Sequence, residues 1–150
     1  MMLPPRPNKP RVFFDADALI AGAASPSEQS ASLVLLRMAE ITLIEGLTSQ
    51  QVITECERNL SAKIPRALPS FQVLVNRCLK VVPNPDQVEL ESYTGLADPK
   101  DLPILVAAVQ SQSPWLVTFN IRHYQPGHPS VTPLQPGKLV LRIRDVLAFL

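Results

Sequence analysis

Five acids and one amide stand at points where this chain could gather charge. Asp15 and Asp17 follow the apolar run Val12, Phe13 and Phe14 in "RVFFDADALIAG". Glu55 lies among apolar neighbours in "ITECERNL", and Asp98 and Asp101 flank the start of the aliphatic stretch in "DPKDLPILVAAV". Asn120 ends "WLVTFN". Carboxylates brought together repel one another, and their charge is costly unless a cation offsets it. Hard oxygen donors with no histidine or cysteine among them suit Mg²⁺ or Mn²⁺. Each residue also has a simpler role open to it. Asp17, Asp98 or Asp101 could cap a helix, Glu55 could be a solvated partner of Arg58 or Asn59, and Asn120 could close a turn.

What favours the shared role is where the elements place these residues. "RVFFD" reads as a strand emptying into a short helix through "ALIAGAA". "SPSEQSASLVLLRMAE" is expected to be a helix with Ser25 as its cap, Pro26 in its first turn and Glu28 close behind. "ITLIEG" reads as a second strand, and "TSQQVITECERNLSAKI" as a helix whose Val52, Ile53, Cys56 and Leu60 recur at helical spacing. A helix through "LPSFQVLVNRCL", a short strand "KVVP" and an acidic helix ending near Gly95 follow. Pro99 is expected at the start of the next helix, "PWLVTF" as a strand, and "KLVLRIRDVLAFL" as a last strand running into a terminal helix. Strands alternating with helices imply a parallel sheet covered on both faces. In such a sheet the strand carboxyl ends, where Asp15 and Asn120 fall, share one ligand-binding edge.

Composition agrees with a packed domain. The 150 residues are 46% hydrophobic with few aromatics, as suits aliphatic strands buried between helix layers. A net charge of +1 predicts neither attraction to nor repulsion from nucleic acid as a whole, although from Leu102 onward Asp145 is the only acid. Cys56 and Cys78 are widely spaced without a C-x-x-C, so they read as buried thiols of a reducing cytoplasm. His123 and His128 lack the spacing of a zinc site. No apolar run reaches transmembrane length, and "MMLPPRPNKPR" has no signal-peptide core. Residues 1–10 are therefore expected to form a flexible arm, and residues 11–150 the domain.

The four acidic segments, in this order, resemble a PIN domain, the metal-dependent ribonuclease fold of toxin–antitoxin toxins and RNA-processing nucleases. The resemblance runs from about Arg11 to Leu150. "FFDADALIAG" is similar to the family's D-x-N-x-L-I opening, "ITECERNL" to its glutamate helix, "DPKDLPILVAAV" to its D-x-x-D block, and "WLVTFN" to its L-V-T-x-D strand end. Two positions depart from the pattern: Asp17 stands where the family has Asn, and Asn120 where it has Asp. The resemblance implies a three-layer α/β/α sandwich with a mostly parallel central sheet, and hydrolysis of RNA phosphodiester bonds. It implies Asp15, Glu55, Asp101 and Asn120 as catalytic residues, with Asp15, Glu55, Asp98 and Asp101 around Mg²⁺ or Mn²⁺. Asp17 and Thr118 would be accessory, and Arg11, Lys100, Arg122 and His123 candidate contacts to the RNA backbone. A cognate antitoxin, a homodimer and a cytoplasmic location, with no membrane association, are further expectations.

Two other readings compete. "FFDADALIAG" also resembles the hhhhD-x-D opening of haloacid-dehalogenase-like phosphatases, in which Asp15 would be a nucleophile and Asp17 an acid. The later Lys and acidic pair of that family are not in the expected order here. The amide at Asn120 also suits a PIN fold that binds RNA or protein without cutting it.

Overall fold

The computed structural model describes residues 9–24 and 30–148. The chain runs β1 (Arg11–Phe14), α1 (Ala16–Ala24), α2 (Ala31–Glu40), β2 (Glu45–Ser49), α3 (Gln50–Lys63), α4 (Leu68–Cys78) and β3 (Leu79–Val82). It continues through α5 (Gln87–Glu91), α6 (Leu102–Gln110), β4 (Trp115–Val117), β5 (Thr132–Leu134) and α7 (Pro136–Ala148), with short 3-10 turns at Pro65–Ala67 and Ile121–Tyr124. The five strands lie in the order β3-β2-β1-β4-β5. All four pairings are parallel.

Val12, Phe13 and Phe14 are consecutive and all fully buried, which in a strand requires cover on both faces. That cover is supplied in two groups. Helices α1, α2, α3, α4 and α7 pack on one another, while α5 pairs with α6, and α6 lies against β2 and β4. Helix α6 is buried along nearly its whole length, from Leu102 and Ile104 through Ala108. The architecture is thus the expected α/β sandwich, with a sheet that is parallel throughout. The strand order reverses direction between β1 and β4. This is the switch point at which open α/β sheets form a crevice beyond the strand carboxyl ends.

Several element boundaries differ from the sequence reading. The second strand begins at Glu45, not Ile41, because Ile41 and Leu43 are exposed in the reversal after α2, where Thr42 has φ of 65°. Ser49 ends β2 and caps α3 by accepting the Val52 N–H, so α3 starts two residues later than "TSQQ" suggested. Helix α5 is only one turn long; Asp86 and Glu89 close it with a capping box. Pro103, not Pro99, occupies the first turn of α6. The cap assigned to Ser25, Pro26 and Glu28 falls outside the described residues, as does the arm at residues 1–8. Helix α2 is described from Ala31, with Ser30 before it.

The largest correction is at the C-terminal end. "KLVLRIRDVLAFL" is not a strand leading into a helix; its described residues belong to α7, and the last strand is β5 within "VTPLQ". Leu139, Leu141 and Ile143 alternate like a strand, but Leu139 and Ile143, four apart, are the fully buried pair, and Leu141 is 51% exposed. Pro133 is accommodated because β5 is an edge strand, paired only with β4. Among the described residues no helix is long and apolar enough to cross a membrane.

Gly46 shows how closely the strands are set. A Cβ there would lie 2.8 Å from the Cys78 carbonyl oxygen and 3.1 Å from the Ala39 Cβ. The first of these is backbone and cannot rotate away. Gly46→Ala is therefore expected to destabilise the fold by about 1–3 kcal/mol through overpacking. A lowered urea midpoint with unchanged slope is the result to look for.

Candidate active site

Asp15 is the centre of the site and is only 6% exposed. Its own N–H donates to the Val117 carbonyl at 3.0 Å, continuing the β1–β4 pairing one step past the strand end. Its carboxylate accepts three hydrogen bonds. The Ala16 N–H reaches Oδ1 at 2.7 Å, while the Thr118 hydroxyl at 2.9 Å and the Tyr124 hydroxyl at 2.7 Å share Oδ2. A buried carboxylate needs such donors to remain charged. Burial and the Asp15 charge push the Tyr124 phenol far up, so it stays protonated as a donor. Tyr124 was not foreseen. It lies four residues past Asn120 in the Ile121–Tyr124 turn, and nothing in local periodicity marks it.

Asp17 and Asn120 form a pair. Asp17 Oδ2 accepts from the Phe119 N–H at 3.0 Å and from the Asn120 side-chain amide at 3.1 Å, and lies 3.4 Å from the Thr118 hydroxyl oxygen, whose proton goes to Asp15. Thr118 Oγ1 in turn accepts the Asn120 N–H at 3.0 Å. Asp17 Oδ1 is buried with no hydrogen-bond partner. Burial, then the Asp15 charge, raise the Asp17 carboxyl to about 6, against the pull of the Phe119 N–H. The side chain of Asp17 thus reaches across to the segment after β4.

Glu55 and Asp101 complete the acidic edge. Burial and then the Asp15 charge raise both carboxyls, and Asp101 raises Glu55 further. These mutual effects bring Asp15, Glu55 and Asp101 into one field. Asp101 occupies the cap position of α6 without capping it; its 15%-exposed side chain instead meets His123 Nδ1 at 3.0 Å. The start of α6 is held by backbone, with the Asp98 carbonyl accepting from Asp101 and Leu102. Asp98 is half-exposed, 4.0 Å from the same histidine nitrogen. One ligand atom from each of Asp98, Asp101 and His123 lies within 4.8 Å of the others.

Beside this edge lies a cleft of about 470 Å³, lined by Gln51, Thr54, Glu55, Arg58, Asn84, Lys100 and Asp101. Lys100 and Arg58 both lower the Glu55 carboxyl, which places their charge within its reach. Lys100 thus lines the cleft beside Glu55, and exposed Arg122 lies in the turn carrying Tyr124. His123 engages Asp101. Arg11 is at the other end of β1, bonded to Glu45 Oε2 and the Ser111 carbonyl, both at 2.9 Å, and is removed from the site. Cys56 and Cys78 are free and buried. Burial pushes the Cys56 thiol well up, and its Sγ lies 3.6 Å from the Ala16 carbonyl oxygen.

The donor set fits a hard divalent cation. Asp98 and Asp101 offer carboxylate oxygens and His123 one imidazole nitrogen within 4.8 Å of one another, and Glu55 lines the same cleft as Asp101.

The chain matches the family model of the PIN domain over residues 11–122. A crystal structure of VapBC2 from Rickettsia felis bound to a DNA fragment from their promoter is similar in fold. Its TM-score is 0.61 at 15% identity, over 83% of this chain and 98% of that one. No curated protein matches the chain.

Two predictions follow from the charges. The Asp17 carboxyl titrates near 6 when folded against an ordinary 3.8, so between these values the folded state holds more proton than the unfolded one. Its contribution to stability is complete below about pH 4 and is lost as pH rises through about 6. Urea unfolding without divalent ions should show that Asp17→Asn flattens the pH dependence across that window. Asn120→Asp alone would set a second carboxylate against Asp17 Oδ2, now 3.1 Å from the amide. It should destabilise the metal-free protein at neutral pH, and adding Asp17→Asn should recover the loss, with a coupling of about 0.5–3 kcal/mol in a double-mutant cycle.

Proposed function

The chain belongs to the PIN domain family, and on that premise we propose that it is a divalent-metal-dependent endoribonuclease. The observation carrying this reading is the grouping of Asp98, Asp101 and His123, one ligand atom of each within 4.8 Å of the others, next to Glu55 in the same cleft as Asp101, with burial and then the charge of Asp15 raising the Asp101 and Glu55 carboxyls. Asp15, Glu55 and Asp101 would hold Mg²⁺ or Mn²⁺, with Asp98 and His123 at the outer side. A bound ion supplies a water of lowered pKa and offsets charge on the scissile phosphate.

The chain's own residues do the rest. Thr118, Tyr124 and the Ala16 N–H fix the direction of the Asp15 carboxyl. His123 orients the Asp101 carboxylate, and Asn120 orients Asp17. Lys100 and Arg58 offer the cleft beside Glu55 to the phosphates of the strand. The Asn120 amide also favours a second reading, a PIN fold that holds RNA without cutting it, since this position supplies a donor to Asp17 and no fourth carboxylate.

The likeness to VapBC2 extends the proposal to partners. We take the chain to act with a cognate antitoxin protein in a complex able to bind DNA, and to pair with a second copy of itself. Co-purification with the product of an adjacent gene, and light scattering, test these points.

Asp101→Asn is the informative variant for the chemistry. Asp15→Asn would remove the charge that three buried donors meet and force the Thr118 and Tyr124 hydroxyls to rearrange, so it would disturb the fold as well as the charge. Mn²⁺ at saturating concentration should raise the melting temperature of the wild type by linkage, and raise that of Asp101→Asn much less. Cleavage of single-stranded RNA should fall on the order of 10²-fold in the same variant. Equal metal shifts in both proteins would remove Asp101 from the metal site. RNA binding without any metal-dependent cleavage by the wild type would favour the binding module.

A further inference from the structure

Phe119 is out of place for its type. Phe13, Phe14 and Phe71 are at most 1% exposed, whereas Phe119 is 47% exposed. Single exposed apolar residues are ordinary on protein surfaces, so exposure alone means little. Its position separates it from the others. It stands between Thr118, whose hydroxyl holds Asp15, and Asn120, whose amide holds Asp17. Its own N–H donates to Asp17 Oδ2 at 3.0 Å, which fixes the backbone that carries the ring. An aromatic ring is therefore anchored at the rim of the acidic edge, on the β4 side, while the Lys100 and Arg58 cleft lies on the α3 and α6 side.

A strand of nucleic acid has two recognisable parts, charged phosphates and flat bases. The cleft supplies cations for the first; Phe119 supplies a π-face for the second. We infer that Phe119 is a stacking platform for an unpaired base next to the scissile phosphate. This rests on the ribonuclease reading and adds to it the residue that holds an unpaired base. A paired base keeps its faces stacked on its neighbours and cannot be offered to Phe119. An unpaired base can, and because every base has such a face, the contact selects single strands without selecting sequence.

The test is binding of a short labelled single-stranded RNA, with EDTA present so that no cleavage competes. Phe119→Ala should weaken binding about 5- to 150-fold, the range for loss of one base–aromatic stack. Phe119→Trp should retain affinity, and Phe119→Leu, apolar but without a π-face, should lose most of it. The salt dependence should keep its slope in Phe119→Ala, whereas Lys100→Ala should reduce it by about 0.7 if Lys100 meets one phosphate. An abasic position moved along the RNA provides the decisive cycle. At one position it should cost the wild type as much as Phe119→Ala does, and cost Phe119→Ala almost nothing further. Wild-type affinity in Phe119→Ala or Phe119→Leu, or abasic costs equal in both proteins, would overturn the stacking role while leaving the nuclease reading intact. A wild type that neither binds nor cleaves RNA would overturn both. Loss of a protein partner with unchanged RNA affinity in Phe119→Ala would assign the ring to that partner instead.

Discussion

The rest of the site depends on one buried charge. Asp15 ends a strand whose three preceding residues are wholly inaccessible, so its carboxylate has little water to rely on. An ionised carboxylate in such a place costs several kcal/mol unless protein donors replace that water. The replacements come from three separate pieces of chain: the first amide of α1, the hydroxyl after β4 and the phenol of the Ile121–Tyr124 turn. Keeping Asp15 charged therefore also fixes how β1, β4 and the turn after it meet. The segment from Thr118 to Tyr124 carries most of the site for this reason: Asn120, His123 and the Phe119 amide are set by the same folding of that segment around Asp15.

Once Asp15 is charged, its neighbours bear the consequence. Asp17, Glu55 and Asp101 all hold their protons more tightly than an exposed acid would, with burial the largest cause and Asp15 the next. Lys100, Arg58 and His123 reduce the excess without removing it. A cluster that folding makes less favourable is retained where it serves chemistry, because a bound cation reverses the balance. The stabilising parts of the molecule lie elsewhere, in the nearly continuous apolar burial of β1 and α6.

Some of this was legible in the residues and some was not, for physical reasons. β1, α4, β3 and β4 announce themselves because their apolar runs are short, bounded and consistent with one period. The positions of Asp15 and Asn120 just past their strand ends follow directly from β1 and β4. The alternation of Leu139, Leu141 and Ile143 fits two periods at once, and only packing against α2 selects the helix. Tyr124 was hidden for another reason. Its role lies in a bond to a residue 109 positions earlier, and no local pattern encodes a contact at that range. The same holds for Asp17, whose cap-like place in the first turn of α1 concealed bonds to Phe119 and Asn120 more than a hundred residues away.

Asp17 and Asn120 are best understood as one unit. Two carboxylates facing each other at the distance now spanned by the Asn120 amide and Asp17 Oδ2 could not both stay ionised; one would take up a proton. With an acid at position 17, position 120 must therefore supply a donor, and asparagine does so with little change of size. With an amide at position 120, an acid at position 17 gains a partner it would otherwise lack in a place where burial already raises its pKa. The two departures from the family pattern thus satisfy one another, and the pair carries a single carboxylate between them. The other oxygen, Asp17 Oδ1, is buried without a hydrogen-bond partner. The exchange moves the carboxylate from the end of β4 to the start of α1 and leaves the charge of the edge unchanged.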